Sequence, residues 1–415
     1  MNTNIEYVWK LVDSVLNDKT VPKPPENVDW GMVTKAAGAG DVYSIIYNKL
    51  NELQGEDRPP ESQMEYHRNY VMRTGMMKLQ RYDLLFLLLE EAKKRKIEVV
   101  VFKGPILGEL YPEPMLRSSC DVDLLVNPKD LPSFEALLVE LGYQKNEEHS
   151  KESVPVYIYK NILMIEAHCR LYEDYTGKRI QMLENMELDR PDKRIRMKAC
   201  GLELTTLGYE EHLIFLLFHL IKHISYSGCS IKTMVDIILY VNKFIEYIPK
   251  EDFWQKMKQL GYATFCRTLF SIGCCYFGMT KEIFIDDSYS ENIARTMVEQ
   301  LYETGILKYD LKNEADRRAS SIAFQSFYDK EEKSVGKFQM VMKSMFPKSQ
   351  DLSFRYMYAR KHPSLVWVAW LHRAINQIGV KMYNKEEKAV SMIGDVKLAN
   401  QKLSLLRDLD LMGKD

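Results

Sequence analysis

Two apolar runs broken by charge constrain this chain more than any other stretch. Val99-Val100-Val101-Phe102 opens into Lys103-Gly104, and Cys120-Asp121-Val122-Asp123-Leu124-Leu125-Val126 follows. Short runs rich in valine, bounded by turn and charge signals, read as buried strands. Side chains alternate along a strand, so Asp121 and Asp123 share one face. Neighbouring carboxylates repel unless positive charge lies between them. A divalent cation carrying a nucleotide's phosphates is a common such partner in an enzyme cleft.

A third acid stands in Leu163-Met164-Ile165-Glu166-Ala167-His168-Cys169, an otherwise apolar strand where Glu166 and His168 share a face. Three carboxylates converge if this strand neighbours that of Asp123. Metal-assisted transfer to a hydroxyl needs that set: two acids for the ion, a third to take a proton, and donors for a triphosphate. Lys103-Gly104 falls at a strand-to-helix turn, where backbone N–H groups and an ammonium suit phosphate. Pro105 removes one of those N–H donors, and Arg117 is a second cation ahead of the aspartates. The competing reading is an acidic strand end facing solvent, with Lys103 as its salt-bridge partner.

The surrounding pattern predicts an α+β fold: a small mixed-sheet core flanked by an N-terminal helical segment and a large all-α C-terminal region. Residues 1–80 read as helical. Leu84 to Ala92 forms an apolar helix ending in Lys93-Lys94-Arg95-Lys96, cations that suit a helix C-terminus. Residues 81–205 hold the α/β pattern. A helix after Asn127-Pro128 carries Leu131, Phe134, Leu137, Leu138 and Leu141 on one face and closes at Gly142. Two strands, Val154 to Tyr159 and Ile162 to His168, join at Lys160-Asn161. Residues 206–415 read as a helical domain, with helices over 211–224, 231–247, 253–277, 290–309, 346–358 and 365–378 and a polar linker over 316–333.

A chain of 415 residues exceeds one typical core, so two or three domains are expected. The net charge of −1 argues against a long nucleic acid as partner. No apolar stretch reaches the ~18 residues that span a bilayer. The first residues carry no signal-like basic and apolar regions, and the seven cysteines are scattered without a CxxC pair. These features predict a cytoplasmic, membrane-free protein. A kinase reading of Lys103 fails, because no glycine-rich loop, His-Arg-Asp or Asp-Phe-Gly accompanies it.

Lys103-Gly104-Pro105-Ile106-Leu107, Tyr111-Pro112-Glu113-Pro114, Arg117, the Asp121 to Val126 run, Leu141-Gly142-Tyr143 and Glu166-Ala167-His168 occur in one order. Together they resemble the uncharacterised nucleotidyltransferase family of the polymerase-β-like superfamily. The resemblance covers roughly residues 80–240, with fainter echoes at Arg355-Tyr356 and Trp370-Leu371-His372-Arg373. It implies a nucleotidyltransferase core with Asp121 and Asp123 as metal ligands, Glu166 as the third carboxylate, Mg2+ (or Mn2+) as cofactor and an NTP as substrate. The superfamily's Gly-Ser phosphate motif is absent, with Lys103-Gly104 in that neighbourhood, and the third acid is glutamate where aspartate is common.

His219, Lys222 and His223 follow on a helix, the two histidines one turn apart on a shared face. Packed as a polar edge, they need no ligand. The family pattern has similar histidines, then a basic residue and Asp-Ile, which Lys232 and Asp236-Ile237 match. The resemblance therefore implies that this helix pair lines the nucleotide cleft, with His168 among the nucleotide-binding residues. The expected activity is metal-dependent transfer of an NMP from NTP to a hydroxyl of a small molecule, a protein or an RNA end. The alternative is an inactive NTP-binding or protein-interaction module, and the helical C-terminal region offers a surface for a protein partner.

Overall fold

A computed structural model describes residues 2–119, 121–147, 150, 154–172, 178–226, 228–286, 289–307, 346, 349, 352, 356, 358–359, 362–372 and 392–412. Cys120, Arg355, Arg373, the linker expected over 316–333 and parts of the helices expected over 290–309, 346–358 and 365–378 lie outside the described residues. The chain is α+β, with a mixed five-stranded sheet between an N-terminal helical segment and a helical C-terminal region.

The N-terminal segment comprises α1 (Thr3–Leu16), α2 (Trp30–Ala39), α3 (Tyr47–Glu52) and α4 (Glu61–Lys94). Asn2 and Asp29 cap α1 and α2 by accepting the N–H of Asn4 and Met32. The 34-residue α4 runs unbroken past residue 80, with Lys93 and Lys94 in its last turn as the macrodipole favours. It buries Leu85, Leu88 and Ala92 against the sheet and exposes Met72, Met76, Leu79, Phe86 and Leu87.

The sheet uses β1 (Val99–Phe102), β2 (Asp121–Val126), β3 (Gln144–Lys145), β4 (Val156–Tyr159) and β5 (Leu163–His168), in the order β1-β2-β5-β4-β3. The short α5 (Gly104–Gly108) follows β1, and α6 (Leu131–Glu140) follows β2. Only β2 and β5 run parallel, and a parallel pair needs a crossover, which α6 and the β3–β4 hairpin provide. Alternation sorts the two faces. Val101, Val122, Leu124, Val126, Ile165 and Ala167 join α4 and α6 in one core, while Asp121, Asp123, Glu166 and His168 lie on the opposite face.

The chain continues through α7 (Lys178–Asn185) and a hairpin of β6 (Ile195–Ala199) with β7 (Leu202–Thr206), which the sequence reading missed. Beyond it lie α8 (Tyr209–Tyr226), α9 (Ile231–Phe244), α10 (Lys250–Leu260), α11 (Ala263–Tyr276) and α12 (Glu291–Glu303). The single helix expected over 253–277 is in fact α10 and α11. Gly261, at φ 71°, ends the first in the left-handed conformation that glycine tolerates.

The chain forms two compact units. The first contains Met1–Ile224, Gly228–Leu311 and Leu409–Lys414, and the second contains Ser225–Ser227, Lys312–Asp408 and Asp415. Within the second, Leu352, Tyr356, Ala359 and Ala369 form a small apolar cluster, and α13 spans Met392–Asp408. Leu409 to Met412 then return to the first unit, where Leu409 and Leu411 are buried and Thr264 donates to Asp410 at 2.5 Å. Among the described residues no helix is long and apolar enough to cross a membrane.

Candidate active site

The parallel pairing of β2 with β5 sets Asp123 directly opposite Glu166. Asp123 is 2% exposed, and its Oδ1 accepts from Lys103 Nζ at 2.7 Å. His168 Nε2 lies 3.1 Å from the same oxygen and 3.5 Å from Glu166 Oε2. Each of Asp123, Glu166 and His168 offers a ligand atom, all within 4.8 Å of one another. Ligands bonded at about 2.1 Å to one ion stand about 3–4 Å apart, so the 3.1 and 3.5 Å approaches of His168 to the two carboxylates fit a small divalent cation. Two hard carboxylates suit Mg2+ or Mn2+, and the imidazole favours the latter. Asp121 shares their face but lies outside that close group.

Charge in the site is balanced internally. Burial would raise the Asp123 carboxyl, but the Lys103 ammonium and the His168 hydrogen bond hold it well below the usual carboxylate range. Burial pushes the Lys103 ammonium down, and Asp123, Asp121 and Glu166 together more than reverse this. His168 behaves alike: burial disfavours its cation, but bonds to Asp123 and Glu166 raise it. Asp121 is shifted up, first by burial and then by Asp123.

Lys103 ends β1 with φ 60° and ψ −112°, a conformation rare for a side chain-bearing residue. Its amide lies 3.3 Å from Nε2 of His212, and its ammonium lies 5.5 Å from the ring centre of Phe215 and 5.8 Å from that of Phe102. Gly104 begins α5, whose five residues are all buried.

Arg117 and Asp236 revise the expectation of phosphate contact. Arg117 Nε and Nη2 reach the two Asp236 oxygens at 2.7 Å each, and Tyr111 donates to Oδ1 at 2.8 Å. Both charges are buried and engaged with each other, and Arg117 Nη1 also reaches the Gly104 carbonyl at 3.4 Å. Lys232 likewise serves the loop, donating to the Ser118 carbonyl at 3.0 Å. From α4, Lys78 donates to the carbonyls of Pro114 and Arg117, and Arg81 to those of Ser119 and Ile162. Residues 104–119 thus form a strap held from two helices, α4 and α9.

On α8, the Nε2 atoms of His219 and His223 lie 2.9 Å apart, with Lys222 half-buried between them in sequence. Burial, then the nearby Lys103 charge, presses the His219 cation well below the ordinary imidazole range. Sequence reasoning overlooked His212, Lys78 and Arg81, and gave Tyr111 no role beyond its place in the resemblance. His212 was within reach, because His212, Phe215 and His219 stand at helical spacing on one face of α8.

A family model described as an uncharacterised nucleotidyltransferase matches residues 26–278. The chain belongs to this nucleotidyltransferase family. The matched stretch contains every residue of the site just described, together with α2 to α4 upstream. No curated protein matches the chain. The solution structure of the antibiotic-resistance factor ANT(2'')-Ia is similar at 13% identity and a TM-score of 0.32, over 45% of this chain and 92% of that one.

Proposed function

We propose that this member of the nucleotidyltransferase family moves a nucleoside monophosphate from an NTP to a hydroxyl. The acceptor oxygen attacks the α-phosphorus, the bond to the β-phosphate oxygen breaks, and pyrophosphate leaves. One observation carries the reading: Asp123 and Glu166 are register partners on one sheet face, with Lys103 and His168 on the same Asp123 oxygen. In this reading Asp123 and Glu166 would hold Mg2+ or Mn2+, joined by Asp121 from the same sheet face although it lies outside the close group. When bound, the ion supplies charge to the phosphates and makes the acceptor hydroxyl more acidic. Glu166 takes the hydroxyl proton, with His168 beside it to share the charge. Lys103 neutralises Asp123 in the free protein; once Asp123 is otherwise satisfied, its ammonium is available to triphosphate oxygens. His219, Lys222 and His223 add polar groups from α8 for the nucleotide.

The near-zero net charge favours a small-molecule or protein hydroxyl, or an RNA end, over a long nucleic acid. We place the chemistry in residues 81–205, with 1–80 and 206–415 as helical flanks, the latter open to a protein partner. An NTP-dependent reaction fits the cytoplasm. Calorimetry with each NTP, with and without Mg2+, tests the proposal on wild type and on the double variant D121A/D123A. Metal-dependent binding in wild type, lost in a variant whose circular dichroism is unchanged, is the expected result. No binding of any NTP by folded wild type overturns it. Binding without pyrophosphate release on turnover would leave an NTP-binding module.

A further inference from the structure

We infer that His212 is a positioning residue, which fixes the backbone of Lys103 so that its ammonium is delivered to the Asp123 side of the cleft. The inference rests on the reading of Lys103 as the triphosphate cation. Its evidence is independent of any nucleotide.

Lys103 carries a left-handed φ of 60° at the point where β1 stops. That conformation is strained for a lysine and persists only where the surroundings impose it. β1 is the edge of the five-stranded sheet, and its pairing with β2 ends at Phe102 opposite Asp123. The Lys103 amide has thus left the ladder and needs an acceptor, as any buried N–H does. His212 Nε2 is that acceptor at 3.3 Å.

An accepting Nε2 requires a neutral ring with its proton on Nδ1. The site enforces neutrality, because burial, then the Lys103 charge, pushes the His212 imidazole down to about 3. The ring is fully buried, and its Nδ1 has no partner among the described residues. Such an unsatisfied donor is costly, so a ring that served packing alone would be better replaced by an apolar one. The same helix face continues the seat. Phe215, one turn on, lies under the Lys103 ammonium, and the His219 ring stacks on Phe215 at 6.0 Å. One face of α8 therefore holds Lys103 at both ends, by its amide and by its ammonium.

The test compares His212→Gln with His212→Asn. The longer amide can place an acceptor near the Nε2 position, and the shorter one cannot. His212→Phe keeps the ring volume and removes the acceptor. Protein labelled with 13C at lysine Cε gives a Lys103 signal, assigned by its loss in Lys103→Arg. Asp123→Asn gives the position of that signal without its carboxylate partner. We expect His212→Asn and His212→Phe to move the signal toward the Asp123→Asn position and His212→Gln to leave it near wild type. Affinity for inorganic triphosphate should fall roughly tenfold in the Asn variant, the effect of one lost hydrogen bond, and recover with Gln.

If the Phe variant does not fold, the Asn and Gln pair decides alone. An unmoved signal in a folded Asn variant, or equal loss in Asn and Gln, overturns the inference. Failure of wild type to bind triphosphate or MgATP would overturn the functional reading, while the lysine signal would still decide the role of His212.

Discussion

The Arg117–Asp236 pair shows how a charge that looks functional in sequence is spent on structure. Both partners are buried, and two bonds of 2.7 Å plus Tyr111 satisfy the carboxylate. Removing one member leaves an uncompensated buried ion, at about 3–5 kcal/mol. Arg117→Met should therefore lower stability by that amount in urea titration, and Arg117→Met with Asp236→Leu should cost clearly less than the sum of the single changes. Additive losses would mean that the two charges act separately. At the same scale, burial pushes the His67 imidazole down to about 4. Its ordinary value is about 6.5, so between these limits the unfolded chain takes a proton that the folded chain refuses. The stability from neutral His67 is complete above pH ~6.5 and falls by up to about 1.4 kcal/mol per unit as pH drops toward 4. His168, shifted up, works in the opposite sense, so the contribution is read by difference. His67→Phe should lose less Tm than wild type between pH 7 and 5, and parallel losses would refute the assignment.

At the scale of elements, the sequence announces strands more clearly than their partners. The apolar run around Asp121 and Asp123 and the Glu166-Ala167-His168 strand are visible because burial demands valine, leucine and isoleucine between the charges. Their parallel pairing, and the register that opposes Asp123 to Glu166, depend on a crossover that no local pattern encodes. The β6–β7 hairpin escaped notice for a local reason. Its outward residues Arg196, Lys198 and Glu203 make it look like a polar loop, and its Cys200-Gly201 turn lacks the Asn-Gly or Asp-Gly signal. The break between α10 and α11 hides in continuous apolar periodicity, with Gly261 as the only mark. The approach of Asp123 to Glu166 was expected on condition that their strands are neighbours, which the pairing of β2 with β5 meets. The partners of Lys232 and Asp236 were not legible, because the loop they hold comes from more than a hundred residues earlier.

At the scale of the whole molecule, the family match over residues 26–278 accounts for the sheet, the strap and α8 to α11. What lies beyond it was described by periodicity alone, and nothing in Leu409-Asp410-Leu411-Met412 says where those residues dock. Yet they return to the first unit, with Leu411 fully buried and Arg179 donating to the carbonyls of Asp410 and Leu411. Leu307 and Leu409 are both buried in the first unit, so the chain between them is a closed loop in the polymer sense. Closing a loop costs entropy that grows only with the logarithm of its length, about 0.6 kcal/mol per doubling. Lengthening the connection that follows Leu307 with glycine and serine should thus be nearly silent in chemical denaturation. Leu411→Ala, which opens the clasp and leaves a cavity, should cost about 2–5 kcal/mol. Four residues at the far end of the chain would then outweigh any change in the length of what they fasten.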